Sequence, residues 1–124
     1  MEYDLRHSIQ NKEINLFYQP QYTVDKELVG FEALFRWNHP RYKHIPVIEI
    51  IRLIEELRLI EEVSAYVCLQ AFEFANEINQ NRENPIVVSI NISALQIMND
   101  NFVDNFKSLI KQANVNPNYI GIEI

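Results

Sequence analysis

The chain has one cysteine and two glycines in 124 residues, and its 11 Lys and Arg are outnumbered by 17 Asp and Glu. Each shortage excludes something. Cys68 has no partner for an intramolecular disulfide, so the chain suits a reducing, cytosolic compartment and Cys68 reads as a small buried hydrophobe. Gly30 and Gly121 stand too far apart for a glycine-rich phosphate loop. A net charge of -6 argues against general affinity for nucleic acid or anionic membranes, leaving only a local basic pocket for a phosphate. No apolar run reaches the roughly 18 residues that a membrane span needs. The opening MEYDLRHSIQNKE is too polar for a secretory signal, so membrane attachment would come through another domain of a parent protein. His7, His39 and His44 are scattered, with none of the paired spacings of a zinc site.

What is present is a core. At 48% hydrophobic, the chain is rich enough in apolar residues for one small folded domain and too short for two. Asp4 is placed to cap a first helix with Leu5 and Ile9 as its apolar stripe. LFYQPQYTV, residues 16–24, has the aromatic and β-branched content of a strand, with Pro20 expected at its end. The DKE turn leads to a second strand over 28–37. Helices follow over 48–57, with Ile50, Ile51, Ile54 and Leu57 on one face, and over 61–79. In the longer helix Val63, Val67, Ala71, Phe74 and Ile78 recur at helical spacing. IVVSINI, residues 86–92, is a third strand, and Ser93 is placed to cap the turn after it. Phe102, Phe106, Leu109, Ile110 and Ala113 form the inner face of a helix over 101–113, which NPN ends. YIGIEI starts a fourth strand.

Apolar strands separated by helices predict an α/β fold, a largely parallel sheet with both faces covered. The turn between the first two strands is too short for a parallel crossover, so one of them is antiparallel or short. An apolar parallel strand at the chain end predicts a fragment of a longer fold.

Five polar residues sit in or at the ends of these strands: Gln19, Glu32, Arg36, Asn91 and Glu123. Period two puts Glu32 and Arg36 on one side of strand two. Each has an ordinary reading. Gln19 and Asn91 are amides suited to strand ends, Glu32 and Arg36 would make a structural ion pair, and Glu123 would be an exposed terminal residue. As a set they read differently. A buried carboxylate without a partner costs several kcal/mol, and parallel strands converge at one end of a sheet, where barrel enzymes build sites. Glu32, Asn91 and Glu123 would offer three hard oxygen ligands suited to Mg²⁺ or Mn²⁺.

These residues resemble the EAL domain family of bacterial cyclic di-GMP phosphodiesterases. The motif itself stands as Glu32-Ala33-Leu34, inside GFEALFRWNHP. LFYQPQ before it, INIS after it and the final IEI follow in the family's order, so the resemblance covers essentially the whole chain. It implies residues 1–124 are a partial EAL domain, the N-terminal half of a (β/α)₈ TIM-like barrel with one antiparallel strand, truncated after about the fourth strand. Glu32, Asn91 and Glu123 would then be ligands of a catalytic divalent metal, Mg²⁺ or Mn²⁺. Arg36 would contact a substrate phosphate, and Gln19 would line the substrate pocket. The implied reaction is two-metal hydrolysis of cyclic di-GMP to pGpG, within cyclic dinucleotide signalling and beside an upstream sensory or diguanylate-cyclase-type (GGDEF) domain.

The match has departures. Where the family usually has a glycine, a proline, Phe-Ile and Ala-Glu, this chain has Lys43, Val47, Ile50-Ile51 and Ile54-Glu55. Arg58 replaces a second family glycine. The aspartate pair that completes the family's metal site is missing from these residues, as are the family's downstream lysine, glutamate and glutamine. The 124 residues alone are therefore expected to be inactive, with no complete catalytic set. The alternative readings are a degenerate EAL domain that binds cyclic di-GMP or a protein partner without turnover, and a homodimer that buries the open sheet edges.

Overall fold

A computed structural model describes residues 1–124. Helix α1 spans Glu2–Gln10 and is followed by strands β1 (Asn15–Tyr22) and β2 (Leu28–Arg36). Helices α2 (Val47–Glu56) and α3 (Ile60–Ile78) lead to β3 (Val87–Asn91). The short α4 (Ala94–Ile97), then α5 (Phe102–Ala113) and a 3₁₀ turn at Pro117–Tyr119 lead to β4 (Ile120–Glu123). The sheet order is β1-β2-β3-β4. β1 runs antiparallel to β2, while β2, β3 and β4 are parallel. The connections obey the chain-length argument: a turn joins the antiparallel pair, and helices carry each parallel crossover.

Alternation along the strands sorts the two faces. Ala33, Val88 and Ile90 are buried against Cys68, Ala71, Phe72 and Ala75 of α3, with Val115 closing the cluster. Burying Phe72 alone contributes about 1.5–3 kcal/mol. Burial pushes the Cys68 thiol up to about 11, as an inert core thiol requires. A second cluster joins Leu5, Trp37, Ile50, Ile54 and Val63. There the Trp37 indole N–H donates to Ser8 Oγ at 2.9 Å, tying α1 to the end of β2.

The opposite face of the sheet is not covered, contrary to the expectation of two covered faces. Phe17 on that face is 57% exposed. The physical reason is that the helices of both hydrophobic clusters pack on the other face, which leaves Gln19, Glu32, Leu34, Ser89, Asn91, Gly121 and Glu123 without a covering layer.

Three further expectations are corrected. Asp4 does not cap α1, which begins at Glu2; its carboxylate accepts a hydrogen bond from the Tyr42 hydroxyl at 2.8 Å. Pro20 lies within β1, opposite Phe31, because β1 is an edge strand with one neighbour and the missing N–H goes unused. The buried face of α3 centres on Val63, Cys68, Ala71, Phe72 and Ala75, while Val67, Phe74 and Ile78 flank it half-buried. The helix is pressed by the sheet on one side and α5 on another, which widens its apolar face beyond a single stripe.

Scarcity of glycine shows at the helix ends. α1, α2 and α5 each end with a left-handed residue, Lys12 (φ 57), Arg58 (φ 58) and Asn114 (φ 51). After α2 the Leu59 N–H bonds the Ile54 carbonyl and the Arg58 N–H bonds the Glu55 carbonyl, both at 3.0 Å, a Schellman closure. Arg58 therefore occupies the geometry for which glycine is the unstrained choice. α5 ends at Ala113, so Asn114 stops it and NPN forms the 3₁₀ turn beyond.

Candidate functional site

Register assembles the site. In the antiparallel pair, Gln19 stands opposite Glu32 and Phe17 opposite Leu34. Glu32 pairs with Ser89, and Ser89 with Gly121. One pleat toward the C-terminal ends of the parallel strands, Asn91 pairs with Glu123. Further along, Arg36 stands opposite Asn15. Period two puts all of these on the uncovered face.

Asn91 reaches diagonally to Glu32: its Nδ2 donates to Glu32 Oε2 at 2.9 Å. That bond leaves the Asn91 carbonyl oxygen and the second Glu32 oxygen free to act as ligands. The Glu123 end is fixed by backbone, since the Ile92 N–H donates to the Glu123 carbonyl at 2.8 Å. Just beyond, the Ser93 hydroxyl accepts from the Gln96 N–H while the Gln96 side chain accepts from the Ser93 N–H, both at 3.2 Å. This capping box starts α4 and turns the chain away from the face, as the position of Ser93 predicts. A cleft of ≈ 230 Å³ opens at this end, with Asn91, Ser93, Gln96 and Glu123 in its wall.

The ordinary reading of Glu32 and Arg36 as an ion pair does not hold. The ion pairs of the chain are Arg6–Glu2 and Arg52–Glu49, and the His7 ring lies 3.8 Å from Glu13. Arg36 instead donates from Nη1 to the Phe35 carbonyl at 2.8 Å, and its guanidinium carbon lies 5.7 Å from the centroid of the Phe17 ring. Separation along one strand explains it: residues 32 and 36 are two pleats apart, about 13 Å between their backbones. The result is a half-buried cation with no carboxylate, on the same face as two carboxylates.

No three His, Cys, Asp or Glu side chains gather anywhere in the chain. The donor set on this face is two carboxylates and one amide, all hard oxygens. That set fits Mg²⁺ or Mn²⁺, which keep waters and take substrate phosphates in the remaining positions, and it does not fit zinc.

The five residues singled out in the sequence do share one face, though Gln19 lies on the outermost strand and is exposed. Phe17 and Ser89 share that face and were not singled out in the sequence. The signal was present in the alternation: Phe17 is two before Gln19, and Ser89 two before Asn91. A groove of ≈ 440 Å³ lies elsewhere, between α3 and the α4–α5 segment, and none of the five residues lines it.

Comparison with known proteins identifies the family. The EAL domain family profile matches residues 2–124. The chain is 31% identical over 125 residues to the biofilm architecture maintenance protein MbaA of Vibrio cholerae, covering 100% of the chain and 16% of MbaA. It is 28% identical over 126 residues to the cyclic di-GMP phosphodiesterase PdeR of Escherichia coli, covering 100% of the chain and 19% of PdeR. Among solved structures, the PaMucR phosphodiesterase in its c-di-GMP complex superposes with a TM-score of 0.86, at 25% identity over 99% of this chain and 50% of that one. The chain thus spans less than a fifth of these curated relatives and half of the matched structure.

Proposed function

This chain belongs to the EAL domain family, and from that premise we propose that it supplies the N-terminal half of a cyclic di-GMP phosphodiesterase site. The carrying observation is the set Glu32, Asn91 and Glu123, brought by three parallel strands to one face, with Glu32 and Asn91 bonded at 2.9 Å. Relatives named as phosphodiesterases and a neighbour solved with c-di-GMP support the reading.

Glu32 and Glu123 would hold a divalent cation together with the Asn91 carbonyl oxygen, and the Asn91 N–H₂ holds the Glu32 carboxylate in place. Such a cation acidifies bound water and stabilises charge on a phosphoryl group. Arg36, with no carboxylate to neutralise it, offers its remaining N–H groups to a phosphate of the dinucleotide. Gln19, opposite Glu32 on the edge strand, presents an amide to the substrate. Three donors from this chain do not complete a two-metal site, so the 124 residues alone leave cyclic di-GMP intact.

The test uses the whole protein that carries these residues. Conversion of cyclic di-GMP to pGpG is followed with Mg²⁺ or Mn²⁺, and Mn²⁺ binding is read separately by electron paramagnetic resonance. Glu32→Gln should lower both turnover and Mn²⁺ affinity, turnover by at least about a hundredfold. Unchanged turnover would sink the assignment. Tight cyclic di-GMP binding by the wild type without any product would make the domain a sensor instead.

A further inference from the structure

We propose that Phe17 is a positioning residue for Arg36, and through it for a substrate phosphate; this rests on the phosphodiesterase reading above. Phe17 is a large aromatic residue, 57% exposed, that belongs to neither hydrophobic cluster. Its neighbours in the chain, Leu16 and Tyr18, pack on the covered face, whereas Phe17 points to the open one. It stands opposite Leu34, one pleat from Arg36.

Two contacts hold the Arg36 head. The Phe17 ring lies 5.7 Å from the guanidinium carbon, and the Phe35 carbonyl accepts from Nη1 at 2.8 Å. No other side chain bonds it. A free arginine loses rotamer freedom when it captures a phosphate, whereas one already resting on an aromatic face has given up part of that freedom in advance. The π face also favours the cation without neutralising it, as a carboxylate would. The ring therefore directs the guanidinium along the open face while leaving its other N–H groups for an anion.

Because Phe17 lies outside the core, its truncation opens no cavity. The experiment measures binding of a hydrolysis-resistant phosphorothioate analogue of cyclic di-GMP by titration calorimetry, in the whole protein that carries these residues. Phe17→Ala should weaken binding roughly two- to fivefold, the range of an exposed cation–π contact. Phe17→Tyr keeps the face and should bind as the wild type does. Phe17→Leu keeps apolar bulk without the face and should be as weak as Phe17→Ala; it also stands in if the alanine variant does not fold. In an Arg36→Ala background, Phe17→Ala should have no further effect. An equal loss in that background would mean that the ring touches the ligand or only supports the strand, and would overturn the inference. Wild-type binding by both Phe17→Ala and Phe17→Leu would overturn it as well, while Arg36→Ala alone would still be weak. If Arg36→Ala itself binds as the wild type does, the phosphate role of Arg36 falls and the inference with it.

Discussion

Asn79 is the residue whose loss should cost the fold most for its size. It is 4% exposed at the end of α3 and is fully bonded. Its Nδ2 donates to the Ala75 and Ile86 carbonyls at 2.9 Å each, and its Oδ1 accepts from the Ile86 N–H at 2.7 Å. The pair of bonds to Ile86, itself 3% exposed, pins the residue that enters β3 to the helix that precedes it. Asn79→Ala strands the Ile86 N–H and carbonyl. At about 1–3 kcal/mol for each buried group left unpaired, the loss is about 3 kcal/mol once some water enters from the exposed 81–85 loop. With a slope near 1.5 kcal/mol per molar urea, the midpoint should fall by about 2 M. Urea unfolding followed by circular dichroism and by Trp37 fluorescence measures it. Asn76→Ala is the control: it removes one half-buried bond, Nδ2 to the Ala113 carbonyl at 3.2 Å, and should shift the midpoint by well under half as much. If Asn79→Ala moved the midpoint by less than about 0.3 M, the account of how β3 is anchored would be wrong.

Arg58→Gly should stabilise the protein by about 0.5 kcal/mol, relief of the left-handed strain outweighing glycine's entropy. Arg58→Ala should give no such gain, and a thermal melt showing Arg58→Gly to be destabilising would refute the helix-end argument. The Tyr42–Asp4 bond should make docking of α1 depend on pH at both extremes. The Tyr42 hydroxyl holds the Asp4 carboxyl below its ordinary 3.8, so that contribution is present above 3.8 and is lost as pH falls through the lowered value. Tyr42 is itself raised above 10 by the same bond, so its contribution is present below 10 and is lost as pH rises through the raised value. The melting difference between wild type and Tyr42→Phe should therefore be flat between these limits and shrink beyond them; a difference still undiminished near pH 2 would refute the pairing.

Much of the fold was legible from short-range pattern. The apolar, β-branched run IVVSINI marked a third strand, since such residues suit a pleated, half-buried surface. The short DKE turn left an antiparallel pair or one short strand, because a parallel crossover needs more chain, and the structure has the antiparallel pair. Ser93 announced a cap for the turn after β3. The EAL motif and its flanking LFYQPQ, INIS and IEI pointed to a family, and with it to five site residues.

What those residues do to one another was decided only in three dimensions. Glu32 takes Asn91, 59 residues away, as its partner rather than Arg36, four residues on. Sequence proximity favoured the ion pair, but two residues two pleats apart on one strand are held farther from each other than residues on neighbouring strands. Phe17 became Arg36's neighbour for the same reason. Asp4 looked like a cap and became an acceptor for Tyr42, since helix entry one turn earlier freed its side chain. Sequence by itself determined which residues of a strand share a face, because that follows from the two-residue period. Tertiary structure decided which of them meet, because strand register sets distances that no local rule contains.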